Sequence, residues 1–343
     1  KSIAIMPFKN LTNDSEQDYF CDGIAEDILI TLTNIKELKV VGRKSSFQFK
    51  NSDLTEQEIG AVLNVNHILE GTVRRSGNRL RINVHLFNIP ENSQVWAERY
   101  DRELTNVFDI QEDIANNVTQ KLKVTLFEGV SRSYTVNMEA YEMLLKGRYY
   151  EEMFLEGFEK ALSCFSRAIE IDPNYAEAYA ALANLHFLLT MNLVHSPHDG
   201  FKKIKYYAEQ AIHLNPEIAS AHFSLGKVSL WFDWSFKKAL SHYKRATNSV
   251  ITAYSVALSI DPWYYAFVEG NFEKSINYCL QVIETDPLSI FNQYQLSIFY
   301  TYNKRPSQAR DILNNIIKMA PNYTAPALQG SRQRVQPGMP VRF

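Results

Sequence analysis

Long apolar runs are missing from this chain of 343 residues. No stretch approaches the roughly 18 consecutive apolar residues that a membrane-spanning helix needs, and no basic and apolar leader precedes Ser2. Cysteine is also scarce: Cys21, Cys164 and Cys279 are far apart and form no CxxC pair. This argues against a disulfide framework or a zinc knuckle and favours buried free thiols in a reducing compartment. We therefore expect a soluble, cytoplasmic segment without a membrane span.

An excess of charge of one sign is absent too. The chain has 36 Lys and Arg residues against 38 Asp and Glu residues, a net charge of −2 at pH 7. This balance gives no electrostatic reason for non-specific binding to nucleic acid or to an anionic membrane, so binding of that kind would need a local patch. We predict no nucleic-acid partner for this segment.

The common catalytic motifs are absent as well: there is no GxGxxG, P-loop, HExxH, GxSxG or CxxC. His195, His198 and Asp199 lie within five residues and could together hold a metal, but a solvated loop is the favoured interpretation of such a histidine pair. Four carboxylates stand without a partner base or nucleophile: Glu26, Asp27, Glu98 and Asp101. We predict no catalytic, cofactor-binding or metal site, and a segment that is not itself an enzyme.

The N-terminal part of the chain has the patterns of short strands and amphipathic helices. Strands are predicted at residues 2–8, 38–42, 67–75, 79–88 and 94–100. Helices are predicted from Gln17, from Thr55 and from Val107, and Glu58 three residues after Thr55 is a capping-box signal. This order predicts a small α+β domain with helices packed on a mixed sheet.

A tight hairpin is predicted at residues 76–78, since Gly77 and Asn78 accept the positive φ of such turns. Four arginines flank it: Arg74, Arg75, Arg79 and Arg81. Successive strand residues point to opposite faces, so no four-arginine patch for a phosphate or an acidic partner follows. A solvated edge is the favoured interpretation.

Several segments of this region together resemble a bacterial module similar to the amino-terminal domain of TolB. They are residues 2–8 (SIAIMPF), 18–27 (DYFCDGIAED), 45–47 (SSF), 68–75 (ILEGTVRR) and 96–102 (WAERYDR). In that family the module commonly precedes tetratricopeptide (TPR) repeats and follows a class III adenylate or guanylate cyclase, a winged-helix DNA-binding domain or a kinase domain. The resemblance implies a non-catalytic part of a signalling protein, with no active-site residues to carry over.

The second region has a different pattern, clearest in residues 158–174 (FEKALSCFSRAIEIDPN). Small Ala161 and Ala168 alternate with bulky Phe165 on one apolar stripe, so a neighbouring helix can approach closely. Pro173 cannot continue the helix. This stretch resembles the second helix of a TPR unit.

Proline positions give the phase of the repeats. Pro287 and Pro321 are 34 residues apart, which is the TPR period, and Pro216 to Pro287 spans close to two periods. We therefore interpret residues 261–262 as an insertion inside a repeat. Gly270 is predicted to form the turn between the two helices of the fourth pair.

Together these patterns predict an α+β N-terminal domain over residues 1–128, a linker over 129–136 and an all-α TPR superhelix of about five helix pairs over 137–330. The fourth pair, from about residue 252 to 286, is the least regular. Residues 331–343 show no periodicity and are predicted to form an irregular tail.

In stacked TPR pairs the first helix of each pair faces a concave groove. By register, seven residues are candidates for lining it: Asn184, Phe187, Phe223, Lys227, Trp231, Tyr294 and Tyr302. An aromatic wall with a few polar groups suits a protein or peptide segment as partner. Each residue could instead pack within its own repeat.

We predict a regulatory and scaffolding segment that mediates protein–protein interaction in a bacterial signalling protein, and we leave a homo-oligomer open. One alternative is the C-terminal part of an adenylate or guanylate cyclase whose catalytic domain lies upstream. Another is the sensory part of a DNA-binding transcriptional regulator. Because the chain begins at Lys1 and enters a strand almost at once, we expect a piece of a longer polypeptide, and the residues before Lys1 would separate these alternatives.

Overall fold

The computed structural model describes residues 1–12, 14–35, 37–124, 137–248 and 260–320. The predicted linker at 129–136, the predicted tail at 331–343 and the predicted start of the fourth pair near Thr252 lie outside these residues. No helix in the described ranges is both long enough and apolar enough to cross a bilayer.

The N-terminal region is built on one mixed sheet. Its strands are β1 (Ser2–Ile5), β2 (Lys9–Asn10), β3 (Lys39–Val40), β4 (His67–Ser76), β5 (Arg79–Asn88) and β6 (Ser93–Glu103). They lie in the order β3-β1-β4-β5-β6, with β2 also paired to β4. The pairs β3-β1 and β1-β4 are parallel, whereas β4-β5 and β5-β6 are antiparallel. The helices of this region are α1 (Asp18–Thr33), α2 (Arg43–Ser46), α3 (Glu56–Leu63) and α4 (Val107–Leu122).

The local signals of the sequence act as predicted here. Ile3 and Ile5 of β1 join the core that contains α1 and α4, and the residue between them faces α3 on the other side of the sheet. Helix α3 begins with the predicted capping box, in which Thr55 and Glu58 bond each other's backbone N–H groups. The β4-β5 turn contains Gly77 with φ +56°, a conformation that glycine adopts without strain, whereas Asn78 does not have the positive φ predicted for it.

Ten further helices follow in five pairs within the described residues. They are α5 (Met138–Glu151) with α6 (Phe158–Ile171), α7 (Ala176–Met191) with α8 (Pro197–Leu214), α9 (Ala219–Trp231) with α10 (Phe236–Asn248), α11 (Pro262–Phe267) with α12 (Phe272–Thr285), and α13 (Ile290–Tyr302) with α14 (Pro306–Met319). In two pairs a glycine lies under an aromatic ring of the second helix. A Cβ added to Gly147 would lie 2.2 Å from the Phe165 ring, and one added to Gly226 would lie 2.3 Å from the Tyr243 ring. The pairs are therefore close-packed.

The fourth pair corrects one interpretation of the sequence. Asp261 caps α11, accepting a hydrogen bond from the N–H of Trp263 at 3.0 Å, and Pro262 is the first helical residue. Asp at the N-cap followed by Pro is a helix start signal, because the capped N–H groups have no partner in the helix and proline has no N–H to satisfy. The interpretation of residues 261–262 as an insertion missed this start. Gly270 lies in the following turn, as predicted, with φ +66°.

The two regions share one core. Helix α5 packs on α1, and the buried Asp27 of α1 joins them. Its carboxylate accepts hydrogen bonds from the Tyr141 hydroxyl at 2.7 Å, from Gln111 Nε2 at 3.2 Å and from Arg148 Nη1 at 3.2 Å. No partner for Asp27 could be predicted from the sequence, because these groups are distant along the chain. The structure makes it a junction between the sheet region and the first helix pair.

A second junction joins the N-terminal region to the far end of the array. The Ser45 hydroxyl donates to Asp286 Oδ1 at 2.5 Å and accepts from the N–H of Leu288 at 2.8 Å. The N–H of Gly42 donates to the carbonyl oxygen of Thr285 at 2.7 Å. The N-terminal region therefore contacts both the first pair and the connection between the fourth and fifth pairs.

Three of the four arginines at the hairpin form ion pairs, while Arg74 is exposed and Arg79 remains 73% exposed in its pair, as expected of a solvated edge. Arg79 and Arg81 contact Asp101 at 2.9 and 2.7 Å. Arg75 pairs with Glu142 of α5 at 2.9 Å and is mostly buried, which contradicts the predicted solvated edge at that residue. The cause is tertiary: α5 covers the side of the sheet region that the hairpin sequence alone leaves open.

Candidate binding groove

The first helices of the first three pairs lie side by side, and four predicted groove residues meet there. The Asn184 amide donates to Oε1 of Glu151 at 2.7 Å. Lys227 Nζ lies 3.9 Å from the ring centre of Phe187 and 4.6 Å from that of Phe223. An ammonium between two rings is stabilised by their negative faces. Helices α7 and α9 thus present an aromatic surface with a positive centre.

Desolvation shifts the charged groups of this surface toward their neutral forms. It lowers the pKa of Lys227 to about 8, against the attraction of Asp261 and Glu151. It raises the pKa of the Glu151 carboxyl to about 7, helped by the charge of Glu152, and it also raises the pKa of Asp261. Lys227 and Glu151 therefore change charge close to neutral pH, and binding of a charged ligand here would depend on pH.

A second aromatic cluster lies further along the array, where Trp263 of α11 joins two predicted residues. Trp231 packs edge-on against Trp263 with ring centres 5.8 Å apart, and Tyr302 does so at 6.3 Å. Tyr302 also stacks on Phe272 and is 55% exposed. Trp231 and Tyr302 therefore belong to one partly exposed aromatic surface that spans the third, fourth and fifth pairs.

Tyr294 lies in a third cluster, within the fifth pair. It packs with Ile290, Ile312 and Ile316 inside the fifth pair. The seven predicted residues thus divide into four around Lys227, two at Trp263 and one within a repeat. Helical register alone could not separate them, because it gives the face of a helix but not the neighbour that covers it.

Three residues of the two clusters were not predicted from the sequence: Glu151 and Asp261 near Lys227, and Trp263 in the second cluster. Trp263 follows the Asp–Pro helix start, and that local signal was sufficient to find it. Glu151 is the last residue of α5, and only the packing of α5 beside α7 brings it to Asn184. No sequence signal indicates that contact.

The loop histidines do not gather as a metal site. His198 contacts Asp199 at 3.4 Å, whereas His195 faces His186 with ring centres 5.3 Å apart. Within the described ranges, no group of three or more His, Cys, Asp or Glu side chains is placed to hold a metal ion. Desolvation, with the charge of Lys203 and the neighbouring His195, lowers the pKa of His186 to about 4, so this ring is neutral at pH 7.

Part of the helix array resembles a known repeat family. Residues 156–189 match the family model described as the TPR repeat. This segment runs from the turn before α6 into α7, so it contains the second helix of the first pair and most of the next helix. The predicted fold class, an α+β region followed by TPR helix pairs, is confirmed.

A related sequence is the putative adenylate cyclase 3 of Rhizobium meliloti (strain 1021), which is 33% identical over 237 residues, 67% of this chain and 40% of that protein. The chain therefore spans less than half of that relative. A thermophilic TPR protein of Thermus thermophilus is 16% identical, with a TM-score of 0.44 over 57% of this chain and 97% of that chain. TolB from Acinetobacter baumannii reaches 12% identity and a TM-score of 0.27 over 35% of this chain and 28% of that chain, so the TolB-like identity of the N-terminal region is not confirmed.

Proposed function

We propose that this segment is a non-catalytic recognition part of a bacterial signalling protein, and that the TPR groove around Lys227 holds a segment of another polypeptide. The observation that supports this best is the Lys227 ammonium between the Phe187 and Phe223 rings, beside the Asn184–Glu151 hydrogen bond. Rigid aromatic rings bury apolar area at low entropic cost, and the polar groups orient a peptide backbone or a charged side chain. TPR repeats are a fold of protein–protein recognition.

The second part of this proposal concerns the catalytic domain of the longer protein. The relative named as a putative adenylate cyclase favours a nucleotide cyclase domain upstream of Lys1, in a cytoplasmic signalling protein. No observation favours a DNA-binding domain over it. The described residues would then regulate or position that catalytic domain through the partner held in the groove.

Peptide selection tests the groove directly. A random peptide library displayed on phage is selected on the 343-residue chain, and the dissociation constant of the best peptide is measured by fluorescence anisotropy. We expect Phe187→Ala to weaken binding tenfold or more, because truncating an aromatic hot spot at the centre of an interface costs about 2 kcal/mol or more, and about 1.4 kcal/mol is tenfold.

The control variant for this experiment is Tyr206→Ala, which removes an exposed aromatic side chain of α8, the second helix of the same pair. Tyr206→Ala should bind the peptide as the wild type does, and circular dichroism should show the same helix content in all variants. Equal affinity of the wild type and Phe187→Ala for every selected peptide would remove the groove as the binding surface.

Binding of an acidic peptide should also depend on pH. Lys227 has a pKa lowered to about 8, so it is mostly a cation at pH 7 and mostly neutral at pH 9. Glu151, with a pKa raised to about 7, becomes negative over part of the same range and repels an acidic ligand further. We expect affinity for an acidic peptide to fall about tenfold from pH 7 to pH 9. Lys227→Met should remove most of this dependence, and an equal pH profile in that variant would exclude Lys227 as the cause.

A further inference from the structure

Large apolar side chains project into solvent at one edge of the array, at the turns inside the second and third pairs. We name residues 191–203 and 232–238 the turn edge. Five of its apolar residues are exposed: Met191 at 46%, Leu193 at 84%, Val194 at 55%, Trp234 at 73% and Phe236 at 37%. The two turns are neighbours, because the Phe232 ring stacks on Phe201 at 5.3 Å and contacts His198 at 6.1 Å.

The backbone shows that the fold does not require these side chains. Leu193 has φ +60° and Trp234 has φ +52°, a left-handed conformation that bulky residues rarely adopt. Trp234 lies two residues before the second helix of its pair, and at the same position the fourth and fifth pairs have Gly270 and Lys304, also with positive φ. A tryptophan at this position is therefore disfavoured by backbone conformation and by exposure together.

The turn edge also carries positive charge, although the whole chain does not. Its four lysines are exposed and lie in the second turn of α8 and the first turn of α10: Lys202, Lys203, Lys237 and Lys238. They outnumber its two acidic residues, Asp199 and Asp233. The turn edge is therefore a local basic patch on a chain whose net charge is only −2.

We propose that the turn edge docks on the surface of an anionic phospholipid bilayer. Leu193 and Trp234 enter the interface between headgroups and acyl chains, and the flanking lysines contact the phosphate and carboxylate groups of the lipids. A bilayer fits better than a protein here because the apolar side chains project from separate turns instead of lining a groove. Tryptophan is also enriched at membrane–water interfaces. The proposal goes beyond the proposed function, since it uses neither the Lys227 groove nor a polypeptide partner.

Vesicle co-sedimentation tests the proposal with a variant that is expected to fold. Trp234→Gly places at this position the residue that the fourth pair already has there, so it relieves the backbone conformation while it removes the apolar tip. The full chain is mixed with vesicles of phosphatidylcholine with and without phosphatidylserine. We expect wild-type protein to bind the phosphatidylserine vesicles and Trp234→Gly to bind them about tenfold more weakly, as loss of one buried aromatic side chain implies.

Two further variants test the electrostatic contribution to vesicle binding and the specificity of the apolar contact. Lys237→Gln should weaken binding to phosphatidylserine vesicles about fivefold and leave binding to phosphatidylcholine unchanged. Tyr206→Ser removes an aromatic side chain that is 56% exposed but outside the turn edge, and it should bind as the wild type does.

The proposal is overturned if wild-type protein does not sediment with either vesicle, or if Trp234→Gly binds as tightly as the wild type. It is also overturned if sedimentation velocity without lipid shows that the wild type self-associates and Trp234→Gly does not, because the turn edge is then an interface between copies. Failure of the peptide selection leaves these readouts unaffected, so the two proposals fail separately.

Discussion

Asp27→Ala is expected to lower the free energy of unfolding by about 3 to 5 kcal/mol, the range for removing one partner of a buried ion pair. Asp27 is 6% exposed and accepts hydrogen bonds from Arg148, Tyr141 and Gln111. Desolvation acts to lower the pKa of the Arg148 guanidinium, but the carboxylates of Glu26 and Asp27 outweigh it and raise that pKa. Without Asp27 the Arg148 guanidinium keeps its charge in a site that has lost its closest carboxylate. The Tyr141 hydroxyl and the Gln111 side-chain amide also lose a hydrogen-bond acceptor.

Urea unfolding followed by circular dichroism measures this loss. The matched control is Asp113→Ala, which removes a carboxylate that pairs with Arg102 at 3.0 Å on the exposed face of α4. Exposed pairs contribute about 1 kcal/mol or less, so this variant should remain close to the wild type. A loss at Asp27 no larger than the loss at Asp113 would mean that the junction between α1 and α5 does not stabilise the fold.

The second large effect is expected at Phe165. This side chain is fully buried against Gly147 in the first helix pair, so Phe165→Ala should cost about 3 to 5 kcal/mol through lost burial and the cavity that remains. Urea unfolding of the variant against the wild type measures the change. Phe291→Ala is the matched control, because that phenylalanine is 53% exposed and should contribute only a few tenths of a kcal/mol.

A double variant tests the contact between Gly147 and the Phe165 ring directly. In the wild type, Gly147→Ala places a Cβ 2.2 Å from the Phe165 ring, and overpacking of this kind costs about 1 to 3 kcal/mol. In the Phe165→Ala background the same methyl group enters the cavity, and alanine is also the better helix former. Gly147→Ala should therefore destabilise the wild type and stabilise the variant. The same cost in both backgrounds would contradict the ring-over-glycine contact.

These two sites stabilise different levels of the structure. Phe165 and Gly147 act within one helix pair, whereas Asp27 acts between the sheet region and the array. Ser45 and Asp286 add a contact between α2 and the end of α12. The N-terminal region is thus packed against the array at two places, and loss of either junction would loosen it.

The sequence by itself determined the features that depend on neighbours along the chain. The capping box at Thr55 and Glu58 and the turn at Gly77 are local, and both are present. The stripe of small and large residues around Phe165 recurs at helical spacing, and it predicted the TPR helix pairs correctly. The domain boundaries remain predictions, since the segment between the two regions lies outside the described residues.

Only the tertiary structure decided which residues meet across the molecule. The Asp27–Arg148 and Ser45–Asp286 contacts join residues 121 and 241 positions apart, and no local pattern encodes such a pairing. The same holds for the groove. Tyr294 and Tyr302 lie on one helix, but packing leaves Tyr294 partly buried against Ile316 of its own repeat and Tyr302 exposed. Local signals fix backbone conformation over a few residues. The partner of a side chain is chosen by how the finished helices and sheet stack, which depends on the whole chain at once.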